Sequence, residues 1–382
     1  MDFSKKKVAI VHDYLAEYGG AERVVEALAR AFPKAPIYVG FVDWQKLKLG
    51  KDFFSQRQIR TTYLQKIPFI KKIYSPLRIL APHAFSKLKL DEYDIVISST
   101  NAYFAKAVRV KSSAKHFCYC HTPARSLYGY NTKSNWRAKR VIGFFGQIIN
   151  HFLRIEDFKI ATKIDYIIAN SQEVQRRIEK FWRRSSKVIN PPALMVDIAK
   201  EKQLITATYG DYYIYVNRLN FVKHPELAIE ACRNLNKKLI VVGDGELYGD
   251  LQRFKSDKII FKGKVSDEEL IELYVNAKAM IYPATDEDFG IGPVEAMAFG
   301  LPVIAHFSGG PKETILEKKT GIFFEGDLDN QKQHSTNVKN LEDAIKILEK
   351  ISWSKKDIVA HAQKYSEANF IKNIKSYIEK YS

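Results

Sequence analysis

Residues 278–306 read KAMIYPATDEDFGIGPVEAMAFGLPVIAH, and this stretch decides the fold. KAMIYP (278–283) and LPVIAH (301–306) are apolar runs of strand length. Between them a loop, ATDEDFG (284–290), leads into a short helix expected to begin near Pro293, because proline suits a first helical position. Gly300 ends that helix and Pro302 opens the next strand. Continuous apolar strands flanked by helices are strands of a buried parallel sheet.

The same alternation runs outward in both directions. VAIVHD (8–13), DIVISS (94–99), HFCYCH (116–121) and DYIIAN (165–170) precede it, followed by YYIYV (212–216), KLIVVG (238–243) and KIIFKG (258–263). Helical patterns separate them: GAERVVEALARAF (20–32) places Val24, Leu28 and Phe32 on one face, and DEELIELYVNA (267–277) does so with Leu270, Leu273 and Ala277. Each half therefore reads as a doubly wound α/β unit. A chain of 382 residues exceeds the usual reach of one core, and Pro191-Pro192 with the polar residues before Tyr212 mark a break. Two Rossmann-like domains facing a central cleft are expected.

Composition fits a globular enzyme, with 46% hydrophobic and 13% aromatic residues and no low-complexity tract. The apolar run after Lys5-Lys6-Lys7 is interrupted at His12 and Asp13, too short for a signal peptide or a spanning helix. Three cysteines, Cys118, Cys120 and Cys232, make no disulfide framework and suit a reducing cytoplasm. Charge is unevenly spread: residues 1–200 carry 36 Lys+Arg against 16 Asp+Glu, residues 201–382 carry 25 against 27. A first half at net +20 points toward something anionic, whether nucleic acid, anionic lipid or a phosphorylated substrate.

In doubly wound sheets a ligand sits at the carboxyl ends of the strands. Gly19-Gly20 open a helix there and offer backbone N–H groups and a positive dipole end to a phosphate. His121 ends HFCYC, Arg218 and Lys223 follow YYIYVN, and Gly243-Asp244-Gly245 ends KLIVV. Glu287 lies in the loop after KAMIYP and Glu295 in the expected first turn of the helix, with Gly290 and Gly292 allowing close approach of backbone to a ligand. Two carboxylates and bare amides fit a polyol carried on a diphosphate. Taken alone, the stretch is equally explained by a capping Glu295 and a solvated Glu287.

The stretch from Glu287 to Val303 resembles the two-glutamate signature of retaining glycosyltransferases of family GT4, which have the GT-B fold. NRLNFVKHPELAIEA (217–231) is similar to the family segment whose cations grip the donor diphosphate, matched here by Arg218 and Lys223. FKGKVSDEEL (261–270) resembles the segment that holds the nucleotide base, HTPAR (121–125) the loop with the active-site histidine, YGGAERV (18–24) the glycine-rich loop, and YSEANFIKNIKSYI (365–378) a terminal helix that returns to the first domain. VHDYL, CHTPARSLY and IIANSQEV resemble bacterial mannosyltransferases of O-antigen and related polysaccharide assembly. Asp288 departs from the pattern, standing where many relatives have glycine.

The resemblance implies an acceptor-binding domain over 1–195, a nucleotide-sugar-binding domain over 196–364 and the terminal helix at 365–382. It implies a metal-independent, retaining hexosyltransferase without a resident cofactor. Its donor would be GDP-mannose, or a UDP-sugar as the alternative. Gly19, Gly20, Arg218, Lys223, Val265, Glu287, Phe289, Gly290, Ile291 and Glu295 would hold the donor, and His121, Glu287, Arg218 and Lys223 would act on the reacting sugar and leaving diphosphate. The acceptor would be a saccharide or lipid-linked saccharide for cell-envelope polysaccharide.

KIPFIKKIYSPLRILAPHAF (66–85) and NWRAKRVIGFFGQIINHFLR (135–154) mix cations with apolar residues. Core burial is the weightier explanation for the stripe of Val141, Phe145, Ile148, Ile149 and Phe152 in the second. The charge of the first domain also fits a protein at the cytoplasmic face of the cell membrane, lying peripherally on anionic lipid. A non-enzymatic nucleic-acid binder would share the charge but leaves the two-glutamate loop unexplained, so no nucleic acid is expected. Cys118-x-Cys120-His121 lacks a second pair for a metal and reads as buried strand. GDGELYG (243–249) is spaced wrongly for a dinucleotide fingerprint.

Overall fold

The computed structural model describes residues 6–47, 50–130, 140–202 and 208–382. Two units divide the chain, Met1–Pro192 with Glu367–Ser382, and Ala193–Ser366. Arg137 and Lys139 of the second basic segment lie outside the described residues.

The first unit is built on a seven-stranded sheet of order β3-β2-β1-β4-β5-β6-β7, parallel throughout. Its strands are β1 (Val8–His12), β2 (Ile37–Val39), β3 (Ile59–Thr61), β4 (Ile95–Thr100), β5 (Lys115–Cys120), β6 (Tyr166–Ala169) and β7 (Lys187–Val188). Strand order reverses between β1 and β4, which makes their carboxyl ends the crevice where a ligand enters such a sheet. The helix Gly20–Ala31 buries Val24, Val25 and Leu28 against the sheet. Helix Glu367–Tyr381 adds Phe370, Ile374 and Ile378 to the same core at four-residue spacing, one residue per turn on a single face. Arg30 binds Glu367 at 2.5 Å and fixes the start of that helix against the first one.

The second unit carries a six-stranded parallel sheet of order β10-β9-β8-β11-β12-β13. These strands are β8 (Tyr212–Val216), β9 (Lys238–Val242), β10 (Ile259–Gly263), β11 (Ala277–Tyr282), β12 (Val303–His306) and β13 (Gly321–Phe324). Here the order reverses between β8 and β11. One core fills each face of the sheet, the first containing Ile214, Met280, Met297 and Val303, the second Tyr213, Ile229, Ile281, Leu341 and Ile345.

All nine runs read as strands from the sequence are strands. Four more, β2, β3, β7 and β13, are two to four residues long and escaped the pattern. Two boundaries move. The helix at 267 ends at Val275, and Ala277 begins β11 instead of closing that helix. The helix expected near Pro293 is Ile291–Ala298, with Gly290 at φ +80° before it. Glu295 is consequently the fifth helical residue and lies outside the first turn.

Candidate functional site

The carboxyl ends of β10, β9, β8 and β11 gather most of the expected donor residues of the second unit. Arg218 lies two residues beyond β8 and is exposed. Lys223 ends a short 3-10 turn, Phe221–Lys223, and its carbonyl accepts the buried Tyr215 hydroxyl at 3.0 Å. After β11, the Glu287 carboxylate forms an ion pair with Lys223. The hydroxyl of Tyr282, the last residue of β11, donates to Glu287 Oε1 at 2.9 Å. Burial, followed by the Glu287 charge, raises the Tyr282 pKa well above its usual value, so the hydroxyl remains a donor. Glu287 is thus fixed by a cation and a phenol, and the solvated reading of it fails.

Backbone packing holds this loop from beneath. Gly310 N–H donates to the Glu287 carbonyl at 2.9 Å, and a Cβ at Gly309 would stand 2.7 Å from the Glu287 nitrogen. Only glycine fits so close, and Gly309 also has φ +59°. GDGELYG has a similar structural cause: a Cβ at Gly245 would stand 2.2 Å from the Leu219 carbonyl oxygen. Gly243 and Gly245 seat the end of β9 against the Arg218 segment.

Glu295 is buried at 9% exposure and lies beyond the first turn of its helix, where a capping carboxylate would stand, which disfavours the capping reading. Phe289 packs its ring against Tyr365, with centroids 5.6 Å apart, so its side chain belongs to the core and only its backbone is available to a ligand. Ile291 opens the helix half-buried after Gly290. Val265, two residues after β10, is half-buried against the same core.

In the first unit Gly19 precedes the helix that Gly20 opens, but its N–H already donates to Glu22 Oε2 at 2.9 Å. A carboxylate therefore occupies the amide that the sequence offered to a phosphate, and Gly19 serves the helix cap. His121 follows β5, with its backbone N–H on the Thr100 carbonyl at 2.9 Å and its Nε2 2.8 Å from Ser99 Oγ. Burial, and then the neighbouring His12 charge, pushes its pKa down to about 3. Cys118 and Cys120 are buried in β5 and form no disulfide.

Four residues here escaped the sequence reading. Asp13, buried at the end of β1, accepts Thr100 Oγ1 at 3.0 Å and the backbone N–H groups of Asn101, Ala102, Tyr103 and Ala105 at 2.7–3.0 Å. It shapes the turn after β4. His12, Glu22 and Ser99 form a buried chain leading to His121. Polar residues at the ends of apolar strands, His12-Asp13 and Ser98-Ser99-Thr100, were the available signal.

A cavity of about 550 Å³ lies elsewhere in the first unit, lined among others by Ile79, Phe152, Ile155, Arg109, Lys159 and Lys163. His116, near the start of β5, lines it, whereas His121 follows the other end of that strand. Five residues of strand separate the two by roughly 16 Å. On its wall Phe152 is 63% exposed and Ile155 is exposed, and Ile148 and Ile149 of the same helix are exposed as well. The apolar stripe of helix Arg140–Thr162 is therefore in part a surface, contrary to the burial expected for it. Its other side, with Leu153 and Ile160, packs into the core.

Residues 18–192 match the family model described as Glycosyltransferase Family 4, and residues 198–364 match that described as Glycosyl transferases group 1. The chain belongs to glycosyltransferase family 4. It is 25% identical over 377 residues to the alpha-1,3/1,6-mannosyltransferase ALG2 of Saccharomyces cerevisiae, a match covering 81% of this chain and 71% of that protein. A shorter match, 33% identical over 118 residues and 30% of each chain, is to a GDP-mannose-dependent alpha-mannosyltransferase of Mycolicibacterium smegmatis. Among solved structures, the lipopolysaccharide outer core galactosyltransferase WaaB shares the fold at TM-score 0.65 and 16% identity, with 98% of this chain and 99% of that one covered. This family 4 protein is a glycosyltransferase of the GT-B fold with mannosyltransferase relatives.

Proposed function

We propose that this glycosyltransferase moves mannose from GDP-mannose, with retention and without a metal ion, onto a saccharide or lipid-linked saccharide of a cell-envelope polysaccharide. The observation that carries the reading is the Lys223–Glu287–Tyr282 cluster, set where the β8/β11 order reverses, with Arg218 on the segment that leads from β8 to Lys223. Arg218 and Lys223 supply the positive charge that a departing diphosphate needs. Glu287, held at one oxygen by Tyr282, accepts hydroxyls of the transferred sugar through its remaining lone pairs. Glu295 takes the ribose diol, Val265 lies beside the base, and the backbone at Phe289, Gly290 and Ile291 meets the diphosphate or sugar. The family resemblance around HTPAR (121–125) makes His121 a group that acts on the reacting sugar. Mannose and its GDP carrier are supported by the relatives' activities.

The basic first half and the exposed apolar residues of helix Arg140–Thr162 support a peripheral position on anionic lipid at the cytoplasmic face of the membrane. Among the described residues no helix is long and apolar enough to cross a membrane. Donor turnover with water as acceptor tests the chemistry without knowledge of the acceptor. Released mannose followed by NMR should appear first as the α-anomer, with GDP release outpacing UDP release from UDP-sugars. Faster turnover of a UDP-sugar would reject the donor, and the β-anomer appearing first would reject retention.

A further inference from the structure

The residues behind His121 form a directional chain. His12 Nδ1 lies 3.1 Å from the Ser99 carbonyl oxygen, an acceptor with no hydrogen of its own, so this nitrogen carries one. His12 Nε2 faces Glu22 Oε1 at 3.7 Å, while the other Glu22 oxygen takes the Gly19 N–H. Burial opposes a charge on His12, but the Glu22 hydrogen bond and carboxylate, with Asp13 and the Ser99 carbonyl, outweigh it and raise the His12 pKa. The same Nδ1 stands 3.2 Å from Ser99 Oγ, which is 2.8 Å from His121 Nε2. A hydroxyl that meets a donor on one side directs its single hydrogen to the other.

The sheet itself imposes this order. His12 pairs with Ser99 in the β1–β4 register, and His121 is the first residue beyond β5, which pairs with β4. His12, Glu22, Ser99 and His121 are 2%, 5%, 0% and 7% exposed, so water does not compete for these bonds.

We propose that Ser99, backed by His12 and Glu22, is a positioning residue that holds His121 neutral with its hydrogen on Nδ1. The Nε2 lone pair is then occupied by the Ser99 hydroxyl, and the ring presents Nδ1–H as a hydrogen-bond donor. His121 acts as an orienting donor to a sugar oxygen and not as a base. This last step rests on the reading of His121 as a group that meets the donor sugar; the tautomer does not.

Long-range 1H–15N spectra of the 15N-histidine-labelled protein test it, with the His121 signals assigned by their loss in His121→Asn. In the wild type, His121 Nε2 should fall in the unprotonated range and Nδ1 in the protonated range. Ser99→Ala should shift Nε2 toward the protonated range and lower kcat about tenfold or more, as misplaced contact groups do, and Ser99→Thr should restore both. Hydrogen on Nε2 in the wild type overturns the inference whether or not Ser99→Ala folds, and so does a tautomer unchanged in folded Ser99→Ala. The proposed tautomer together with wild-type turnover in His121→Asn supports the inference about Ser99 and refutes the role assigned to His121.

Discussion

Glu287 and Lys223 neutralise one another at the end of β8 and β11, and each is less than one-fifth exposed. Glu287→Gln keeps the Tyr282 hydrogen bond but removes the charge, so donor turnover should fall at least about a hundredfold, the usual scale for a lost positioned charge. Arg218→Ala should do the same. Circular dichroism and the unfolding midpoint should remain close to wild type for Arg218→Ala, whose side chain is exposed. Histidines govern the acid side. Burial pushes the pKa of His116 down to about 4 and that of His121 to about 3, while the unfolded chain binds both protons near pH 6.5. Between those limits the unfolded state holds more protons, so each histidine costs about 1.4 kcal/mol of stability per unit as pH falls. His12, with its raised pKa, contributes stability that is already complete below pH 6.5 and does not offset this loss. Denaturant midpoints measured from pH 7 to pH 5 should therefore decline, and His116→Gln should remove one histidine's share of the slope. Arg218, Lys223 and Glu287 were legible because they stand in short local patterns. His12 and Ser99 were not, because 87 residues separate them and only strand register brings them together.

At the scale of elements, a buried cluster fastens the segment after His121. Asp157, fully buried on helix Arg140–Thr162, accepts Lys106 Nζ at 2.5 Å, Tyr128 Oη at 2.7 Å and Trp182 Nε1 at 2.6 Å. These partners come from the turn after β4, the loop after β5 and the helix Gln172–Trp182. Asp157→Ala leaves the Lys106 ammonium buried and unpaired, and urea unfolding should show a loss of about 3–5 kcal/mol. A change within about 0.5 kcal/mol would mean that the cluster holds nothing in place. Strands with long apolar runs were legible in the sequence because burial on both faces writes a continuous pattern. β3 and β7 were not: both are edge strands, only two or three residues long and largely exposed, so they leave no run to read. Helix Arg140–Thr162 misled for a different reason, since apolar residues on both of its sides do not reveal which side is covered.

For the whole molecule, a peripheral position on anionic lipid would use both the charge of the first half and the exposed apolar residues of helix Arg140–Thr162. Vesicles containing phosphatidylglycerol should pull the protein down, neutral vesicles much less, and salt should weaken the difference. Lys159 and Lys163 line the cavity bordered by Phe152 and Ile155. Reversing both to Glu should lower partitioning at least about tenfold, given about 1 kcal/mol per cation near such a surface. Equal binding to neutral and anionic vesicles would assign the charge to another polyanion. The central claim is that the second unit holds a nucleotide diphosphate sugar at the Lys223–Glu287 cluster, and thermal unfolding with a panel of nucleotide sugars tests it most directly. GDP-mannose at a hundred times its dissociation constant should stabilise the native state by about 2.7 kcal/mol, with GDP stabilising less and Glu287→Gln abolishing the difference between them. No response to any nucleotide diphosphate sugar, or a response that Glu287→Gln leaves intact, would contradict the account.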